Sequence, residues 1–341
     1  MKILIVKPSS LGDVIHSLPL LRLLKLHLPQ SEIYWWLGAD LVPLLEDDPD
    51  LAGIIPFERR RWHSPRNWPA LWNDLKRMRS LQFDWVIDLQ GLARSGAFAW
   101  LANGKFLIGL DNHREGAHGF YDQAVPRPTP SAHAVDWYLA LLPHLRVPVH
   151  RDFTWLPARP DIAAAVRQKW PVGSHRWLII NPGARWVNKR WPVEQFTDLV
   201  RRLAAEHVDL RFAILGGKLE REIGRAMASA DGARCLDLTG QTSLPELIEW
   251  VRLGELMVTN DTGPMHIAAA LNKPVVALFG PTRPQHTGPY GQIQRVLQLS
   301  LPCVPCMKSY CKLATPLECL RALSVERVQA EVQGRLNAAC V

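Results

Sequence analysis

The sequence has no apolar run that approaches the roughly 18 residues needed to cross a bilayer, which argues against a membrane-spanning helix. Residues 3–6 are apolar, but this stretch is too short for the core of a signal peptide, and the charged residues Lys7 and Asp13 come soon after it. We therefore expect a cytoplasmic protein.

Two common nucleotide-binding fingerprints are also absent. Neither G-x-G-x-x-G nor G-x-x-x-x-G-K-[ST] occurs. The first absence counts against a simple dinucleotide dehydrogenase, and the second counts against a P-loop NTPase. There is no short-period repeat either.

The composition is that of an ordinary globular protein. Apolar residues make up 48% and charged residues 21% of the 341 residues, a length that fits two domains. Apolar runs at 3–6, 32–37, 54–56, 85–88 and 106–109 alternate with helical patterns, and the same alternation begins again at 177–181. This order predicts an α/β protein with doubly wound parallel sheets. We expect a linker near residues 150–165 and domains at 1–160 and 161–341.

Acidic residues are scarce between positions 59 and 79. Seven cations stand there against Asp74 alone, and Trp62, Trp68 and Trp72 are interleaved with them. Such a patch suits an anionic membrane surface, a phosphorylated or carboxylated substrate, or a solvated helix face. We expect no nucleic-acid partner, because no recognition module accompanies the patch.

Six cysteines are present, and four of them cluster as Cys303, Cys306, Cys311 and Cys319. Structural disulfides are not expected in a reducing compartment. The spacing matches neither common two-pair zinc pattern, so a metal, an iron–sulfur centre and a set of free thiols all remain open.

Asp13 comes after the first predicted strand and lies in the first turn of a predicted helix. Ser10 and Asp13 have the spacing of a capping box, which by itself explains a carboxylate at this position. The carboxyl edge of a parallel sheet is also where ligands bind, so Asp13 is equally a candidate general base.

Three later strand ends carry polar residues of the same kind. Asp261, Thr262 and Gly263 open a helix that carries His266, an arrangement that favours a phosphate group. Arg185, Lys189 and Arg190 lie in a second such loop, where they could neutralise a leaving diphosphate without a metal. Glu220, after a third strand, could accept hydrogen bonds from a ribose. Each residue also has an interpretation without a ligand, as a helix cap, a buried histidine or an exposed loop cation.

In these residues and the motifs around them, the chain resembles the bacterial glycosyltransferases of family 9, the ADP-heptose lipopolysaccharide heptosyltransferases. The resemblance spans nearly the whole chain, at residues 9–16, 59–62, 86–92, 114–115, 133–135, 189–192, 261–263, 266 and 279–282. The N-terminal segments look most like heptosyltransferase I, which adds the first heptose to the Kdo of the lipid A inner core.

The resemblance implies a GT-B fold, in which two Rossmann-like domains face each other across a cleft and a terminal helix often returns to the N-terminal domain. It implies that the N-terminal domain binds the acceptor and the C-terminal domain the nucleotide sugar. It also implies an inverting transfer from ADP-heptose that needs no metal or other cofactor. The expected partners are ADP-heptose, Kdo2-lipid A and the inner-membrane surface, with which the protein would associate peripherally.

The resemblance also implies roles for individual residues. Asp13 matches the proposed catalytic base, and Lys189 matches a lysine assigned to the donor phosphates. The expected donor-binding residues are Arg185, Glu220, Asp261, Thr262, Gly263 and His266. The residues that fall where the family binds its anionic acceptor are Ser10, Gly12, Arg59, Arg60, Arg61 and Arg114.

Two departures keep other functions open. Ala184 and Arg185 replace a threonine pair of the heptosyltransferase I branch, and the cysteine loop looks more like other branches of the family. A transferase that adds a later heptose or uses another nucleotide sugar is therefore an alternative. A sugar-nucleotide epimerase and a metal- or redox-sensing module are more distant alternatives.

Overall fold

A computed structural model describes residues 1–58, 68–112 and 115–338 of the chain. The chain divides into two compact units, Met1–Pro157 and Ala158–Val341. No helix among the described residues combines the length and the apolar character needed to span a bilayer.

The first unit is built on a six-stranded sheet in which every pairing is parallel. Its strands are β1 (Lys2–Val6), β2 (Glu32–Gly38), β3 (Gly53–Phe57), β4 (Trp85–Asp88), β5 (Phe106–Asp111) and β6 (Gln123–Pro126). Its helices are α1 (Leu11–His27), α2 (Val42–Leu45), α3 (Trp68–Ser80), α4 (Ala93–Leu101) and α5 (Ala134–Leu139). The strand order β3-β2-β1-β4-β5-β6 is that of a Rossmann sheet.

The second unit repeats this plan in its own sheet, whose order is β12-β11-β10-β7-β8-β9. The strands are β7 (Arg176–Asn181), β8 (Leu210–Ile214), β9 (Cys235–Asp237), β10 (Leu256–Asn260), β11 (Val275–Phe279) and β12 (Val296–Gln298). The helices are α6 (Pro160–Lys169), α7 (Val193–Glu206), α8 (Arg221–Ala228), α9 (Leu244–Leu253), α10 (Gly263–Ala270), α11 (Pro284–Thr287), α12 (Glu318–Arg321) and α13 (Val325–Ala338). All its strand pairs are parallel too.

The predicted α/β class with two doubly wound parallel sheets is confirmed. Each core forms because the central strands are apolar on both faces, as a sheet covered by helices on two sides requires. In the first unit, residues 3–6 are fully buried. Helix α1 is buried around most of its circumference, and α5 is one of the elements that it packs against.

Several elements were not predicted from the sequence. Strands β6 and β12 are short edge strands with little alternation of apolar and polar residues. Helix α6 begins at Pro160, within the stretch predicted to be a linker. Proline is favoured in the first helical turn, where its missing N–H costs no hydrogen bond. The helix predicted near residues 132–144 is interrupted, and α5 gives way to a 3₁₀ turn at Leu142–Leu145 that contains Pro143.

The final helix, α13, packs against α7, β10 and β11 of the second unit. Its apolar residues Val328, Val332 and Leu336 belong to that unit's core. The return of the terminal helix to the N-terminal domain stays a prediction.

Arg22 on α1 is buried and makes several hydrogen bonds and ion pairs within the first unit. Its guanidinium donates to both carboxylate oxygens of Asp48 at 2.6 Å, to Asp50 at 2.7 Å and to the Trp155 carbonyl at 3.0 Å. The Arg22 side chain is only 7% exposed, and that of Asp48 only 4%. The contacts join α1 to the loop after α2 and to the last residues of the unit.

We expect Arg22→Met to lower the free energy of unfolding by about 3–5 kcal/mol, because the change leaves the buried Asp48 carboxylate without its cation. Chemical denaturation followed by circular dichroism measures the effect. The control is Arg202→Met, which removes a partly exposed arginine paired with Asp198 and Glu326 and should leave stability almost unchanged. Equal effects of the two substitutions would contradict the assignment of Arg22 as a structural anchor.

Candidate active site

The first group of predicted site residues lies where β1 leads into α1. The Ser10 backbone N–H donates to the Asp13 carboxylate at 3.0 Å, and the Ser10 hydroxyl donates to the same oxygen at 2.7 Å. Asp13 is half-buried, Ser10 is exposed and Gly12 is buried. The predicted cap between Ser10 and Asp13 therefore forms, and it holds the carboxylate at the carboxyl edge of the sheet. Catalysis by Asp13 stays a prediction.

Lys7 is a buried cation at this edge that was not predicted to belong to the site. Its side chain is 3% exposed, and its ammonium donates to the Leu89 carbonyl at 2.8 Å and lies 5.1 Å from the centre of the Tyr138 ring. Burial lowers the pKa of Lys7, but Tyr138, Asp13 and Asp88 outweigh burial, so the net shift is upward. A lone cation at the end of an apolar strand is the sequence feature that identifies it.

Asp88 ends the neighbouring strand β4 and is fully buried. Its carboxylate accepts hydrogen bonds from the backbone N–H of Gln90 at 2.8 Å and from the hydroxyls of Ser95 and Tyr121, each also at 2.8 Å. Burial raises the pKa of Asp88, and these hydrogen bonds act against that shift. Asp88 thus shapes the loop between β4 and α4.

The predicted acceptor arginines Arg59, Arg60, Arg61 and Arg114 lie outside the described residues. Their assignment to the acceptor stays a prediction.

The second unit contains a cleft of about 290 Å³ at the carboxyl ends of its central strands. It lies where the strand order reverses between β7 and β10, the usual ligand position in such sheets. Three predicted donor-binding residues line it, namely Arg185, Glu220 and Thr262. Three separate loops thus bring their polar side chains to one cleft.

Glu220 is held against the floor of this cleft. Its carboxylate accepts from the Gly217 backbone N–H at 2.9 Å and pairs with the Arg190 guanidinium at 3.5 Å. Arg190 also donates to the Ala184 carbonyl at 2.8 Å. A Cβ atom at Gly183 would lie 2.8 Å from the Glu220 side chain, so a larger residue there would displace Glu220. Through its contacts with the Glu220 carboxylate and the Ala184 carbonyl, Arg190 helps to position Glu220.

Lys189 and Asp261 form a close ion pair, with 2.6 Å between the ammonium and the carboxylate. The Thr282 hydroxyl donates to the same carboxylate oxygen at 2.5 Å. Asp261 is only 6% exposed, and the Lys189 ammonium lies 4.8 Å from the centre of the Trp186 ring. The carboxylate thus fixes the position of the lysine beside the start of α10, where Thr262 is the N-cap residue.

Gly263 is the first residue of α10, and His266 lies one turn further on. His266 is buried, with 7% of its surface exposed. The backbone around this helix start is tied by Asn260, which accepts from the Trp191 N–H at 3.0 Å and donates to the Pro182 carbonyl at 2.7 Å. Asn260 is a further residue that was not predicted from the sequence.

The start of α9 forms another wall of the cleft that was not predicted. Thr242, Ser243, Leu244 and Leu247 line the cleft there. Ser243 caps α9 and its N–H donates to the Glu246 carboxylate at 2.7 Å. This capping box comes shortly after a strand end, and that pattern could have revealed the wall.

The cysteine loop comes after β12 and is attached to the loops that carry Lys189 and Thr282. The Asn188 side chain donates to the Lys308 carbonyl at 2.8 Å, and the Met307 N–H donates to the Pro281 carbonyl at 2.8 Å. Burial, together with the three other thiols of the loop, raises the pKa of Cys319 to about 11. Across the described ranges, no group of three or more His, Cys, Asp or Glu residues is arranged to hold a metal ion.

The chain is similar to known proteins over most of its length. The model of glycosyltransferase family 9 (heptosyltransferase) matches residues 71–316. Lipopolysaccharide heptosyltransferase 1 of Pseudomonas aeruginosa is 33% identical and is covered over 95% of its length by 99% of this chain. Lipopolysaccharide heptosyltransferase 2 of Salmonella typhimurium is 30% identical, with 88% of each chain covered. The solved structure of ADP-heptose lps heptosyltransferase II from E. coli has a TM-score of 0.79 at 25% identity and 100% coverage of both chains.

Proposed function

The chain belongs to glycosyltransferase family 9, the heptosyltransferases, and we propose that it transfers L-glycero-D-manno-heptose from ADP-heptose to Kdo of Kdo2-lipid A. The observation that carries the choice of acceptor is the 33% identity to a heptosyltransferase 1 over nearly the whole chain. A transferase for a later heptose is the second candidate, and the 30% identity to a heptosyltransferase 2 supports it.

The cleft of the second unit is the proposed donor site. Glu220 would accept hydrogen bonds from the ribose hydroxyls, and Arg185 and Lys189 would neutralise the diphosphate. The start of α10 adds its backbone dipole, which favours an anion near Thr262 and Gly263. Asp261 would hold Lys189 in place through their 2.6 Å ion pair, and His266 would contact the ribose or a phosphate.

The proposed reaction is a single in-line displacement with inversion. Asp13 takes the proton from an acceptor hydroxyl of Kdo while that oxygen attacks the anomeric carbon. The bond between this carbon and the ADP oxygen breaks at the same time, and ADP leaves with the electron pair. Lys189, Arg185 and the α10 terminus stabilise the charge that develops on ADP, so the proposed reaction requires no metal.

We also propose that the protein works in the cytoplasm on the surface of the inner membrane. Helix α3 presents the exposed cations Lys76, Arg77 and Arg79 and the half-exposed Trp72. Basic residues of this kind attract anionic lipid head groups, and tryptophan is favoured at membrane–water interfaces. Ser10, Gly12 and the arginines 59–61 and 114 would bind the anionic acceptor at that surface.

The direct test is release of ADP from ADP-heptose by the purified protein. We expect rapid release that depends on Kdo2-lipid A, with the heptosylated product identified by mass spectrometry. Release only with a heptosylated core would move the acceptor to a later sugar. Conversion of ADP-heptose without any acceptor would contradict transferase function and favour an epimerase.

The Asp13→Asn variant tests the general base. The amide oxygen can still accept the hydrogen bonds from Ser10, but the side chain can no longer take a proton. We expect kcat to fall by roughly two orders of magnitude or more, the usual range for a general base, with an unchanged Kd for ADP. Steady-state kinetics and calorimetric ADP titration measure these quantities, and a fully active Asp13→Asn enzyme would exclude Asp13 as the base.

The Lys189→Ala variant tests the phosphate contact. We expect the Kd for ADP to rise roughly ten- to hundred-fold, because a hydrogen bond to a charged group contributes about 1.5–3 kcal/mol and Asp261 would lose its ion-pair partner. Lys218→Ala is the matched control, since Lys218 is exposed at the same sheet edge, whereas Lys189 is held beside the start of α10 by its ion pair with Asp261. An unchanged ADP affinity in Lys189→Ala would contradict this role.

A further inference from the structure

The first unit contains a cavity of about 490 Å³, and none of the described residues proposed for catalysis or for binding of donor and acceptor is among its lining residues. It lies beneath α3, between this helix, the edge strand β3 and its neighbour β2, and Phe98 of α4 closes one side. A volume of this size is typical of a site for a small organic ligand.

The interior of the cavity is apolar and largely aromatic. Trp36 stacks on Phe98 with 3.7 Å between ring centres, and Phe57 lies 4.5 Å from Trp36 on another side. Met78 and Ile55 add aliphatic surface. The charged residues of the lining are Glu58, Asp74 and Arg77, and all three are exposed. The polar groups are thus at the rim, and the interior suits a hydrocarbon.

The helix that covers the cavity is basic. Lys76, Arg77 and Arg79 of α3 are exposed, and they outnumber the two exposed acids of the cavity rim, Asp74 and Glu58. Trp72 is 53% exposed, and the Lys76 ammonium lies 5.9 Å from its ring centre. An apolar cavity beside a cationic surface is complementary to an amphiphile with an anionic head group.

The cavity extends to the carboxyl end of β3, where Phe57 and Glu58 line it. All strands of this sheet are parallel, so the end of β3 lies at the same edge as the start of α1 with Asp13. A ligand whose head group binds at this edge can therefore extend its tail along β3 and into the cavity.

We propose that the cavity holds one acyl chain of the lipid A part of the acceptor. This inference rests on the proposed function and deepens it, because it assigns a site to the lipid rather than to the sugar. The enzyme would recognise its acceptor by the anionic sugar and by a hydrocarbon chain, and each buried methylene would strengthen binding.

Filling the cavity tests this assignment. Ile55→Trp replaces an aliphatic side chain of the cavity lining with a bulky indole ring. Val208→Trp is the control, because it adds the same ring at an 81% exposed position of the second unit. Kinetics are measured with hexa-acylated Kdo2-lipid A and with the same acceptor after removal of all acyl chains. We expect Ile55→Trp to raise KM at least ten-fold for the acylated acceptor only, and Val208→Trp to change neither value.

The two acceptors also separate the failure of this inference from the failure of the proposed function. Suppose that the wild type and the Ile55→Trp variant both transfer heptose to the deacylated acceptor, and that Ile55→Trp does not raise KM selectively for the acylated acceptor. The assignment of the acyl site is then wrong, and the proposed function stands. If the wild-type protein uses neither acceptor, the proposed function is wrong.

A measurement on the unmodified protein guards against misfolding of the variant. Kdo2-lipid A with a photoreactive diazirine at the end of one acyl chain is cross-linked to the enzyme, and the modified peptides are identified by mass spectrometry. We expect labelling at Tyr34, Met78 or Leu81, with competition by unlabelled Kdo2-lipid A but not by phosphatidylglycerol vesicles. Equal competition by both lipids would overturn the assignment in favour of a general membrane lipid, and labelling outside the lining residues would overturn the proposal.

Discussion

Parallel pairing of every strand is the constraint on which the rest of this structure depends. Because parallel strands run in one direction, each sheet collects its strand-to-helix loops at a single edge. Residues far apart in the chain, such as Lys189 and Asp261, meet there at 2.6 Å. The same constraint explains why both strand orders match the Rossmann pattern and why the cleft lies at the reversal of strand order.

The charged groups at these edges are held by other polar groups. A buried charge is costly unless a partner compensates for it. Asp261 is paired with Lys189 and Thr282, Asp88 receives four hydrogen bonds, and Glu220 is held by Arg190 and the Gly217 N–H. Such preorganisation fixes side chains before a ligand arrives, which is how an enzyme stabilises developing charge without moving groups during the reaction.

Local sequence patterns predicted much of the fold because their physics is local. Capping boxes at Ser10 and Ser243 mark helix starts, and apolar runs mark buried strands. Edge strands β6 and β12 were missed because few neighbours bury them, and α6 was missed because Pro160 is equally typical of a loop. The candidate donor residues were found at strand ends, whereas the wall formed by α9 was not, since nothing in Thr242 or Leu247 alone indicates a ligand.

The sequence by itself determined the α/β class, the family and the strand ends that carry Asp13, Glu220 and Asp261. These properties depend on the order of residues along the chain. Only the tertiary structure decided that Lys189 pairs with Asp261, that Arg190 holds Glu220, and that an apolar cavity lies beneath α3. The physical reason is that ion pairs and cavities depend on which non-adjacent elements pack together, and the distance between two side chains is set by the sheet rather than by their separation in sequence.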